Sequence, residues 1–150
     1  MPVRIYVPRE TTALALGADE VAERIEAEAV ARGAEVELVR NGSRGLFWLE
    51  PLVEVETDAG RVAYGPVEPG DVAGLFDAGL LEGSAMSTLC RGPTESIPYL
   101  QAQQRLTFAR IGITDPLSLD DYRAHDGFRG LEQALALSPQ AIVDEVKTSG

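Results

Sequence analysis

Cys90 and His125 are the only cysteine and the only histidine of this sequence. One thiol allows no intrachain disulfide, no Cys-x-x-Cys redox pair and no four-thiolate iron–sulfur or zinc site. One imidazole completes no Cys/His metal cluster. Cys90 stands in the small-residue stretch Ser84–Gly92 and reads as an incidental thiol. His125 stands where a helix should end, which suits a C-terminal helix contact or a turn better than catalysis. Asp120 and Asp121 are adjacent, so a helix aims them to different sides, whereas an acid–base pair must converge. A place in the first turn of a helix explains them. Gly42-Ser43-Arg44-Gly45 has the composition of an anion cradle, but a turn before a strand explains it. No GxGxxG, Walker-type phosphate loop, HExxH or GxSxG motif occurs. The expectation is a chain with no catalytic, cofactor-binding or metal-binding residue of its own.

The elements that would position such residues are easier to read. Val3–Val7 is a short β-rich run, and residues 18–32 carry Val21, Ile25, Glu28 and Ala29 on one helical face. Asp19 and Glu20 suit the start of that helix and Gly33 its end. Residues 36–39 make a second strand and Asn41–Gly45 a loop. Val53, Val55 and Thr57 alternate with Glu54 and Glu56, and Arg61–Gly65 returns after Asp58-Ala59-Gly60, which predicts a β-hairpin. Pro69 and Asp71 open a helix running to about Leu81. This β-α-β-loop-ββ-α order is an α/β arrangement with parallel first strands, in outline that of thioredoxin. Residues 82–96 read as a linker or surface-hugging loop, 97–104 as helical and Leu106–Ile111 as extended. A short helix after Asp115-Pro116 and two more, over 131–137 and from Ser138-Pro139 to Val146, complete the chain.

The 150 residues, 45% hydrophobic and 25% charged, are enough for one real core. Thirteen basic against 24 acidic residues give −11, which repels a polyanion such as DNA. The acidity is spread along the chain: 12 acidic against 7 basic residues in 1–66, 5 against 1 in 67–104, and 7 against 5 in 105–150. A solubilising surface accounts for it. No run of about 18 apolar residues exists to span a membrane, and the N-terminus lacks a secretory layout. The expectation is a soluble, cytoplasmic protein.

Arg105-Leu106-Thr107-Phe108-Ala109-Arg110-Ile111-Gly112-Ile113-Thr114-Asp115-Pro116-Leu117-Ser118-Leu119-Asp120-Asp121-Tyr122 resembles the opening of the NADH-binding flavoprotein subunit of respiratory complex I and its relatives. His125-Asp126-Gly127-Phe128 stands where that family usually has a Gly-Gly-Tyr turn, and 141–150 is similar to its approach to the FMN loop. Residues 1 to about 80 resemble the thioredoxin-like [2Fe–2S] domains that accompany such flavoproteins. The resemblance places the four cluster ligands at Pro8, Ala13, Ser43 and Phe47, none of which supplies a thiolate. It implies a degenerate, cluster-free thioredoxin-like domain over 1–81, a linker over 82–104, and the helical start of a complex I flavoprotein-type domain over 105–150. Phe47 and Trp48 are expected to fill the emptied space as core aromatics in preference to forming a partner-facing patch.

A cluster-free domain fused ahead of a flavoprotein module is similar to the β (diaphorase) subunit of cytoplasmic, molybdenum-containing, NAD-dependent formate dehydrogenases, as are the tracts Asn41–Pro51 and Gly65–Gly83. That family implies a parent oxidoreductase that uses FMN, NAD and a [4Fe–4S] cluster, with no cofactor in the present chain. Its implied partners are a [2Fe–2S] thioredoxin-like subunit and a molybdenum-containing catalytic subunit, with no nucleic acid and no membrane. Two alternatives remain open: the diaphorase subunit of an NAD-reducing hydrogenase, and a cofactor-free thioredoxin-like interaction module.

Overall fold

β1 (Val3–Tyr6) pairs in parallel with β2 (Val36–Val39), with Ile5 opposite Leu38, in a computed structural model that describes residues 2–150. On its other side β1 pairs antiparallel with β3 (Val53–Thr57), which forms the expected hairpin with β4 (Gly60–Tyr64). β5 (Cys90–Pro93) adds to β4, so the five strands lie in the order β2-β1-β3-β4-β5. The chain divides into one compact unit that ends at Asp115 and a second over Pro116–Gly150.

Alternation along the strands sorts the first unit's side chains between two faces. Ile5, Val53, Val55 and Tyr64 belong to the main core, together with Val21, Ala22, Ile25 and Ala29 of α2 (Ala18–Arg32) and Val72, Leu75 and Phe76 of α3 (Val72–Asp77). Each fully buried aliphatic side chain of this layer contributes about 1.5–3 kcal/mol. α2 ends as the sequence predicts, on Gly33 with φ +66°. A smaller cluster gathers Leu46, Leu49, Leu52, Ala63, Ile97 and Leu100. Gly65 is required where it stands, because a Cβ there would lie 2.4 Å from the Leu49 carbonyl oxygen.

Several local expectations are corrected. The stretch 82–96, read as a linker, supplies β5 and a 3-10 turn over Thr94–Ser96, while the helix read over 97–104 forms only as the short α4 (Pro98–Gln101). The helix expected from Pro69 to Leu81 is broken at Gly79, whose φ is +85°. Leu106–Ile111 is not extended but a run of turns, closed by bonds such as Ile111 N–H to the Phe108 carbonyl at 3.1 Å. Unforeseen, α1 (Thr11–Ala15) forms because the Glu10 carboxylate accepts from the amides of Thr12 and Ala13 at 2.8 and 2.6 Å.

The second unit is three helices, α5 (Leu119–Ala124), α6 (Arg129–Leu135) and α7 (Pro139–Ser149), none with a buried residue. Ser118 and Ser138 cap α5 and α7 by accepting from the amides of Asp121 and Ala141. The rings of Tyr122 and Phe128 meet edge to face at 5.0 Å.

Candidate functional site

Two loops of the first unit come together at one end of the sheet. One leaves β1 through Pro8 and Glu10 into α1; the other leaves β2 through Asn41–Leu46 into a 3-10 turn over Phe47–Leu49. Glu10, Gly42–Gly45 and Phe47 line a common cavity of about 810 Å³, whose remaining wall is Gln103–Phe108 and Ile111. Pro8 and Ser43 sit on these two loops, Ala13 in α1 and Phe47 at the start of the 3-10 turn. Pro8 and Ala13 are buried, whereas Phe47 is 56% exposed.

The Ser43 hydroxyl donates to Glu50 at 2.7 Å and accepts from the Gly45 amide at 2.9 Å, so it is an internal brace of its own loop. Burial pushes the Glu50 carboxyl above the ordinary carboxylate range, and the bonds from Ser43 and the Leu52 amide offset only part of that. Proline and alanine offer no donor atom, phenylalanine offers none, and the serine oxygen is already committed. These residues do not fit an iron–sulfur cluster. Among the described residues no three His, Cys, Asp or Glu side chains gather as a metal-holding group.

Phe47 and Trp48 do not fill the emptied space. They are 56% and 58% exposed, and Trp48 meets the half-exposed Tyr99 edge to face at 5.1 Å. The 3-10 turn that carries them turns only Leu49 inward, which leaves two large aromatic side chains at the surface.

Beneath the cavity lies a polar cluster that the sequence reading missed. Glu54 of β3, 1% exposed, accepts from Arg44 Nη2 at 2.8 Å, and Arg61 lies 3.7 Å away. The Asn41 amide reaches the same carboxylate at 3.4 Å. Arg44 also meets Glu95 at 2.7 Å. Burial pulls Arg44 down, but the two carboxylates outweigh it and hold the guanidinium above its ordinary value. Arg61 stacks over Tyr6, 3.3 Å from the ring centre, and the Tyr6 hydroxyl donates to Glu56. Alternation on the hairpin predicts that Glu54 faces away from the main core, but nothing local predicts that residues forty positions and more downstream cover it.

The remaining candidates make local contacts within their own units. Cys90 lies in β5 opposite Tyr64, partly buried. His125 caps the end of α5, its Nδ1 2.9 Å from the Asp121 carbonyl oxygen. Asp120 pairs with Arg123 at 3.2 Å, and Asp121 lies 3.2 Å from His125. No helix among the described residues is long and apolar enough to cross a membrane.

No known protein-family profile matches the chain. A stretch of 48 residues, 32% of the chain, is 44% identical to the NADP-reducing hydrogenase subunit HndC of Solidesulfovibrio fructosivorans. The chain spans only 10% of that relative's length. In three dimensions the chain is similar to the wild-type thioredoxin-like [2Fe–2S] ferredoxin of Aquifex aeolicus, at 20% identity and a TM-score of 0.50 over 61% of this chain and 97% of that one. A cysteine-to-serine variant of the same ferredoxin matches at 21% identity and a TM-score of 0.51, over 60% and 98% of the two chains. The fold is thus mixed α/β with a five-stranded sheet of the thioredoxin-like ferredoxin type, carried by a chain related over a third of its length to a hydrogenase subunit.

Proposed function

We propose that this chain is the N-terminal part of a diaphorase-type subunit in a multisubunit oxidoreductase, and that its contribution is architectural. What supports this reading is a thioredoxin-like ferredoxin-type fold in which Pro8, Ala13, Ser43 and Phe47 stand where the family resemblance puts the four ligands, with Ser43 committed to Glu50. Such a scaffold has no cluster to pass electrons through, while Phe47, Trp48 and Tyr99 stand exposed for contact with a neighbour. In this reading the thioredoxin-like part comes first, and the residues after 104 begin the NADH/FMN-binding flavoprotein domain.

The parent protein then moves electrons between iron–sulfur clusters and NAD through FMN. A [4Fe–4S] cluster belongs to the same subunit, and a [2Fe–2S] thioredoxin-like subunit is its neighbour. Formate is the distal donor, through a cytoplasmic, molybdenum-containing catalytic subunit; the tracts Asn41–Pro51 and Gly65–Gly83 support this choice. The likeness to a subunit of an NADP-reducing hydrogenase favours the second reading, in which the donor is hydrogen.

Purification of the parent subunit with its partners tests both. A molybdenum-bearing partner and formate-dependent reduction of NAD support the first reading. A nickel–iron or iron-only hydrogenase partner without molybdenum overturns formate and leaves the diaphorase assignment standing. Isolation of the chain without any redox partner overturns both.

A further inference from the structure

Residues 105–113 form neither strand nor helix and are tied to the loop after β2 and to β4. Their attachment includes hydrogen bonds to main-chain carbonyls. Asn41 Nδ2 and Arg61 Nη1 both donate to the Gly112 carbonyl, at 2.7 and 2.9 Å, and Arg61 Nη2 donates to that of Ile113 at 2.9 Å. At the other end Arg105 Nη2 donates to the Arg44 carbonyl at 2.7 Å. Gly112 lies directly on the Arg44 side chain: a Cβ there would come within 2.3 Å of Arg44 Cδ, and its φ is +77°. Glu54 fixes the geometry from below by accepting from Arg44 and Asn41.

Apolar burial in this attachment is confined to the end at Ile111 and Ile113. Leu106 is 90% exposed and Phe108 63%. A segment tied by polar bonds, with Leu106 and Phe108 outside and Ile113 only partly buried, has the character of a unit that opens locally ahead of the sheet. The same segment, with Gln103 and Gln104, supplies one wall of the 810 Å³ cavity; Glu10, Gly42–Gly45 and Phe47 supply the other.

We propose that Asn41, Arg44 and Arg61 form a latch, and that residues 105–113 are a strap that opens as a unit while the sheet stays folded. The cavity beside Ser43 and Phe47 then exists only while the strap is latched.

Limited trypsin digestion of the full chain tests this, with cleavage after Arg105 and Arg110 read against cleavage after Arg24 in α2. Arg61→Ala and Gly112→Ala are compared with wild type and with Val30→Ala on the exposed face of α2. The expected result is cleavage after Arg110 faster by roughly tenfold in both variants, in Arg61→Ala from the lost hydrogen bonds of a charged donor and in Gly112→Ala from the Cβ clash with Arg44 at a positive φ. Cleavage after Arg24, and amide exchange in β1 and β3, stay at the wild-type rate. Arg61→Ala also removes the stacking on Tyr6. If it loosens the sheet, Gly112→Ala, which keeps Arg61, decides. Unchanged cleavage after Arg110 in Gly112→Ala overturns the latch. An equal rise at Arg24 and Arg110 overturns the separable strap.

Discussion

The guanidinium of Arg44 meets the carboxylate of Glu54 at 2.8 Å, with 5% and 1% of the two side chains exposed. A pair this deeply buried acts chiefly through what its loss would leave behind, because an uncompensated buried charge costs far more than the pair returns. Arg44→Ala is therefore expected to destabilise the first unit by about 3–5 kcal/mol, and the double change Arg44→Met with Glu54→Leu by much less. Urea unfolding of the three chains measures it. Equal losses for the single and double variants would contradict the expectation.

Glu50 gives a different sign. Its folded-state carboxyl is raised, chiefly by burial, so protonation favours the fold. The stability it contributes is complete below the ordinary carboxylate value and is lost as pH rises through the raised one. Glu50→Gln removes the charge and keeps one carbonyl oxygen to accept from the Leu52 amide, with its NH2 group facing the Ser43 oxygen. It should unfold at higher urea than wild type at neutral pH, with the gap closing in acid. A lower midpoint at neutral pH would sink this account.

Burial also pushes the Tyr64 hydroxyl up to about 12, with Cys90 and Glu82 adding to it, while the hydroxyl donates to the Ser84 carbonyl at 2.8 Å. The linkage is that of a raised group: stability is intact below the ordinary tyrosine range of about 10 and drains as pH climbs through the raised value. Tyr64→Phe should cost about 1 kcal/mol at neutral pH for the lost hydrogen bond and flatten the alkaline limb. An ultraviolet titration of wild type against Tyr64→Phe checks whether the late-ionising tyrosine disappears.

Iron analysis after anaerobic reconstitution should find none bound stably to the wild-type chain, since one cysteine stands where four thiolates are required. The joint changes Pro8→Cys, Ala13→Cys, Ser43→Cys and Phe47→Cys should introduce binding of about two irons with sulfide, the content of a [2Fe–2S] cluster. Failure of the four changes in a folded chain would mean that the ligand positions are misassigned.

What the sequence made legible follows from range. α2 and its Gly33 stop, the β3–β4 hairpin and the parallel β1–β2 pair rest on local periodicity and turn chemistry, and they form as expected. β5 was illegible because Cys90-Arg91-Gly92-Pro93 has no β-branched or aromatic residue; its place is set by β4 beside it. α1 was hidden because its cap is a glutamate, outside the usual set of short capping side chains. Leu106, Phe108 and Ile111 mimicked a strand, but Asn41 and Arg61 hold that segment by the carbonyls of Gly112 and Ile113. The polar cluster joins residues from 41 to 113, and no window of sequence contains it.

β5 also limits what can extend the sheet at one of its two edges. It is an outer strand of only four residues, it ends in Pro93, which has no amide hydrogen, and its register against β4 shifts between Ala63 and Tyr64. A short, irregular margin with a missing donor is a poor template for another chain to extend. Runaway strand-to-strand polymerisation is discouraged along that border even at high concentration. A binding protein that approaches from that side must grip side chains instead of backbone.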